Sequence, residues 1–202
     1  LGNTGSGGAK QDVDNIQIDL TTVNDAPVVG APGAPLAATE QVGLAIHNTG
    51  FTVGDVDEAG AGATATFSVT EGTITIVAGD SGVTITGGNG TGTVTLSGTI
   101  AQLDNLLMAT GTGTITYLNS SDTPSASATF TVTVNDAGNT GNDPGSSGGP
   151  TDEEGTNNVT INITAMNDAP VVGAPGAPLA ATEQVGLAIH GTGFTVGDVD
   201  EA

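Results

Sequence analysis

The sequence has no cysteine, no tryptophan, one residue in total from Lys and Arg, and aromatic side chains at only 2%. Without thiols there is no disulfide, no thiolate nucleophile and no Cys-ligated zinc. The single base, Lys10, stands against 22 acids, for a net charge of -21 and a pI near 4.1. Binding to nucleic acid needs clustered cations that release counterions from phosphates, so nucleic acid is excluded as a partner, and anionic membrane surfaces with it. No apolar run approaches the roughly 18 residues of a membrane span, so no direct membrane insertion is expected. The two histidines, His47 and His190, occupy the same place in a repeat, so each repeat carries one, expected as a surface residue at a strand end. Convergent acid, base and nucleophile groups are missing, and Tyr117 is the one Tyr or Trp available as a sugar platform. The chain is therefore not expected to be an enzyme, glycoside hydrolases included.

What the sequence does contain is Gly, Thr and aliphatic residues, arranged around a long internal repeat. Hydrophobic residues make up 36%, enough for a modest aliphatic core. Residues 24–59, NDAPVVGAPGAPLAATEQVGLAIHNTGFTVGDVDEA, recur at 167–202 with Gly191 in place of Asn48, and QIDLTTVNDAP at 17–27 aligns with TINITAMNDAP at 160–170. The parse is the C-terminal end of one repeat (1–23), one complete repeat (24–166) and the start of the next (167–202), a piece of a longer tandem array.

Apolar residues and Thr alternate at period two over Thr64–Thr70, Thr73–Val77, Val83–Thr86, Thr93–Ser97, Thr112–Tyr117, Ala126–Val134 and Asn158–Ile163, which predicts half-buried strands. Between Ser97 and Met108, Ile100, Leu103, Leu106 and Leu107 fall at helical spacing behind a capping Ser or Thr, predicting one short helix. Residues 135–156 read as a long polar loop, with Asp152, Glu153 and Glu154 solvated, and NDAP at 24–27 and 167–170 reads as a linker whose Pro ends the preceding strand. Short strands with regular turns and a single helix predict an all-β, immunoglobulin-like β-sandwich repeat.

A chain this acidic repels itself when compact, and divalent cations relieve that repulsion most directly. Calcium takes six to eight oxygens from carboxylates, amides and carbonyls, so it favours closely spaced acids on turns. Asp55-Val-Asp57-Glu58 supplies such a D-x-D turn, copied at Asp198 and Asp200, and Asn135 with Asp136 is a further candidate at the loop start. The alternative at each is a turn in which Asp or Asn bonds its own backbone.

VNDAP at 23–27, DVDEAG at 55–60, LSGTIAQLDNLL at 96–107 and VNDAGNTG at 134–141 followed by GSSGG together resemble the cadherin-like and immunoglobulin-like repeats of large bacterial adhesins of the RTX type. The resemblance spans the chain, except that NDPGSSGGP at 142–150 is longer and richer in Pro than the matching stretch at 6–9. It implies a secreted, type I-exported cell-surface protein in adhesion and biofilm formation, whose repeats form a calcium-stiffened rod. Its partners would be calcium, adjacent repeats of the same chain, and cell-surface or matrix ligands reached through other domains. It also implies that Asn24, Asp25 and Glu40, with the copies Asp168 and Glu183, complete calcium sites between repeats. The alternative is a repeat that itself binds a polysaccharide, a protein or, last, ice.

Overall fold

Alternating Thr and aliphatic residues produce a two-faced ribbon wherever a partner strand is available, and the middle of the chain is built this way. The computed structural model describes residues 6–7, 11–56, 58, 60–138 and 153–200. Thirteen strands and one helix occur among them: β1 (Val28–Gly30), β2 (Leu36–Thr39), β3 (Leu44–Ala45), β4 (Thr52–Gly54), β5 (Ala63–Val69), β6 (Thr73–Val77), β7 (Thr84–Gly87), β8 (Thr93–Gly98), α1 (Ile100–Met108), β9 (Thr114–Leu118), β10 (Ser127–Asn135), β11 (Glu154–Thr164), β12 (Val171–Gly173) and β13 (Thr195–Gly197).

A six-stranded sheet runs β2-β11-β10-β5-β8-β7 and a three-stranded sheet runs β3-β9-β6, with the small pairs β1-β4 and β12-β13 beside them. Every pair is antiparallel except β2-β11, which is parallel. This is the expected all-β sandwich with one short helix. Its interior is aliphatic, with Phe51, Phe67 and Phe130 at the centre. Phe130 meets Phe51 and Phe67 edge-on at ring-centroid distances of 5.4 and 5.9 Å, the geometry preferred by aromatic quadrupoles. All buried hydrophobic residues among those described lie between Val29 and Ile163.

Helix α1 closes one end of this core with Ile100, Leu103, Leu106 and Leu107. Its start is a capping box: Thr99 Oγ1 accepts from Gln102 N–H, and Gln102 Oε1 accepts from Thr99 N–H at 2.9 Å. These bonds satisfy two donors that a helix start otherwise leaves open. Ala109 in the left-handed region ends the helix, donating its N–H to Asn105 O.

Several expectations need correction. The polar loop is shorter than 135–156, because β10 runs to Asn135 and β11 begins at Glu154, the two residues facing each other across the ladder. Glu154 is thus a strand residue; Glu153 accepts from Asp136 N–H at 3.1 Å, and Asp152 lies outside the described residues. Strands β1 to β4 were not anticipated, being two to four residues long and rich in Ala, Gly and Pro. His47 is half-buried, with Nδ1 3.1 Å from both the N–H and the C=O of Ile115, so it is integrated with β9 rather than a plain surface residue.

The repeat supplies an internal control on what drives burial. Ile46, Phe51 and Val53 are buried at 0, 1 and 5% exposure, whereas their copies Ile189, Phe194 and Val196 are exposed at 51, 54 and 75%. The local sequence is the same; the buried copy has β5 to β11 over it. Likewise 179–182, the copy of β2, forms no strand, and neither does 17–21, the copy of 160–164 in β11. The copies of β1 and β4 still pair with each other, as β12 and β13, so that pair needs only its local partner, whereas the β2 segment becomes a strand only where β11 offers a ladder.

Glu71 pins the turn between β9 and β10. It accepts from Asn119 Nδ2 at 2.6 Å and from Ser125 N–H at 3.2 Å. The bonds to Ser125 and Asn119 hold its carboxyl below the ordinary Glu range. A depressed folded value means that the stability contributed is present above the unfolded value and lost as pH falls through the folded one. Glu71→Gln is therefore expected to lower urea stability near pH 7, with the gap to the parent closing towards about pH 3; a gap that holds constant across that range contradicts the assignment.

Candidate metal centre

The parallel pair β2-β11 sets the site. After β2 ends at Thr39, Glu40 continues the ladder by donating its N–H to Thr164 O at 3.0 Å, which seats the side chain beside the exit of β11. There Glu40 is only 1% exposed, and Oε2 accepts from Met166 N–H at 3.0 Å. Gln41, in the left-handed region at φ 59, turns the chain; its N–H donates to Asn119 O at 2.7 Å and its Nε2 to Asp122 Oδ1 at 3.0 Å. The β9–β10 connection thereby brings Asp122 to Glu40.

Asp168 arrives from the other side, on the linker that follows β11. Its N–H donates to a carboxylate oxygen of Asp200, whose own N–H donates to Asp198 Oδ1 at 3.1 Å. Asn167 Nδ2 donates to Asp168 O at 2.8 Å, as Asn24 Nδ2 does to Asp25 O at 3.4 Å in the earlier copy. One oxygen each from Glu40, Asp122 and Asp168 lies within 4.8 Å of the others.

The electrostatics of this triad are unfavourable without a cation. Asp168 Oδ2 is shut off from solvent and has no hydrogen-bond partner. Burial above all, then the charges of Asp122, Glu40 and Asp200, push the Asp168 carboxyl above its usual range, opposed only by the amide of Gln41. Among the described residues no Lys or Arg is present to compensate, the single one of the sequence, Lys10, lying outside them. A buried carboxylate is costly unless paired or bound to a metal. An all-oxygen set converging on one point suits a hard divalent cation, which would add waters and carbonyls to complete its shell.

Of the acids singled out from the sequence, the structure brings Glu40 and Asp168 into this group, with Asp200 and Asp198 supporting Asp168 from behind. Asp25 is exposed and Asp55 half-buried near the other end of the unit, while Asp57 lies outside the described residues. Glu58 Oε1 accepts from Ala101 N–H at 3.3 Å in the first turn of α1, where the helix dipole favours an anion. Asn135 Oδ1 accepts from Ala137 N–H and Asp136 Oδ1 from Gly138 N–H, closing the end of β10. Glu183 is exposed, the copy of Glu40 without a counterpart of β11 beside it. Asp122 escaped the sequence reading: NSSDTP at 119–124 is an ordinary turn signal, and only the topology puts it next to Glu40, 82 positions away.

No family model matches the chain, and no curated protein does. Among the described residues no helix is long and apolar enough to cross a membrane.

Proposed function

We propose that the chain is a non-enzymatic, calcium-binding spacer segment of a large bacterial cell-surface adhesin of the RTX type, secreted and acting in adhesion and biofilm formation. Repeats like 24–166 follow one another through NDAP linkers, and acids from both sides of each linker hold a calcium ion that limits bending there. The observation that carries this reading is the triad itself. Glu40 and Asp122 belong to one repeat and Asp168 opens the next, so an ion held by all three ties the two together. The acidic composition, the near-identical repeat and the adhesin resemblance point the same way. Small-angle scattering of the chain with calcium and with a chelator tests it. The expected result is a narrower, more extended distance distribution in calcium; identical curves in both conditions sink the stiffening role.

A further inference from the structure

The outer face of the six-stranded sheet carries hydroxyl and amide side chains in register. One lateral row runs Thr86, Thr95, Thr66, Thr133 and Thr156, from β7 to β11. Here four of the five hydroxyls satisfy one another, Thr86 with Thr95 at 2.9 Å and Thr133 with Thr156 at 3.0 Å. The neighbouring row, Thr84, Ser97 and Thr64, differs: none of these three hydroxyls has a hydrogen-bond partner within the described chain.

That second row opens into a groove of about 480 Å³ whose other wall is the start of α1, with Thr99 and Gln102, and whose base includes Gly62, Gly82 and Gly98. Gly82 sits at φ 85, and a Cβ there would fall 2.4 Å from Gln102 Nε2, so only glycine lets that amide lie across the groove. Gln102 Oε1 is used by the capping box, which leaves the Nε2 hydrogens for a ligand. The volume lies in the usual range for small-molecule sites.

Among the described residues no charged side chain lines the groove, in a chain of net charge -21; the adjoining acid is Glu58, whose carboxylate is engaged by Ala101 N–H on the turn of α1 behind Thr99 and Gln102. The nearest acid of the row, Glu154, is on β11, two strands beyond Thr64. Cations would go to the acidic surface elsewhere and anions would be repelled by it, so a neutral partner is the one matched to this face. Free hydroxyls in line with an amide donor read a ligand rich in hydroxyl groups. A peptide strand would instead add to the open edge of β7 through backbone groups.

We infer that this groove binds an uncharged saccharide through Thr64, Thr84, Ser97 and Gln102. With no aromatic platform, affinity for one unit is in the millimolar range, and repetition along an array multiplies it. The site is independent of the metal centre and does not rest on the spacer reading.

The test is amide chemical-shift mapping of the ¹⁵N-labelled 202-residue chain, titrated with maltohexaose and with cellohexaose to about 20 mM, and with a sulfated hexasaccharide as the anionic control. Expected are shifts at residues 62–64, 82–84 and 97–102 with at least one neutral sugar, weakened about five-fold or more in the doubly substituted Thr64→Val, Thr84→Val chain. Valine suits strand positions, so the variant keeps the fold, and its unchanged shifts elsewhere verify that. No response to either neutral sugar overturns the proposal, as do equal responses in the variant, a stronger response to the sulfated sugar, or shifts confined to the β7 edge.

Discussion

Phe130→Ala is expected to destabilise the fold by about 3–5 kcal/mol, the range for emptying a buried aromatic site. Phe130 is fully buried on β10, the strand paired on both sides by β5 and β11, and its ring is the one shared by both aromatic contacts of the core. Ala at this position leaves a void between Phe51 and Phe67. Most small domains hold only about 5–15 kcal/mol in total, so the loss is a large share. Urea unfolding followed by circular dichroism measures it. A loss below about 1 kcal/mol, the scale of a surface change, contradicts the assignment of Phe130 to the centre of a single core.

The second large effect is a crossing of two stability orders. Calcium at about one hundred times its dissociation constant is expected to raise stability by about 2.7 kcal/mol, or roughly 5–10 °C in melting temperature for a unit of this size. Glu40→Gln keeps an acceptor for Met166 N–H while removing one charge from the triad. In chelator that variant is expected to melt at or above the parent, because it relieves an uncompensated buried carboxylate; in calcium it melts below the parent. The raised Asp168 value adds a pH signature. An acid whose folded value is raised contributes stability below its unfolded value and loses it as pH rises through the folded one. The calcium increment therefore grows as pH rises through the raised Asp168 value, and Asp168→Asn flattens that dependence. Equal melting of parent and Glu40→Gln in both conditions removes the ion from this site.

Strands β5 to β11 and the helix were legible because their periodicity extends over several residues and the inward face is apolar. Phe130, Val132 and Val134, or Ile74 and Ile76, identify the inward face by their spacing alone. The strands of 28–54 were not legible, since LAAT at 36–39 or LA at 44–45 has too few residues to express a period. Their form comes from partners more than a hundred positions away in the case of β2. The metal centre divides along the same line. Glu40 and Asp168 were recognisable from the repeat and its resemblance, whereas Asp122 became a candidate only once the β9–β10 turn was seen to fold over Gln41.

The parallel pairing of β2 with β11 sets how the unit responds to tension. Beyond the short strand β1, the chain runs along β2 and leaves along β11, and the two strands point the same way, so traction that reaches β2 and β11 drags them past each other along their length. The four registered pairs from Leu36–Ile161 to Thr39–Thr164 then resist in shear and must rupture together. An antiparallel pairing at the same place would peel open one bond at a time.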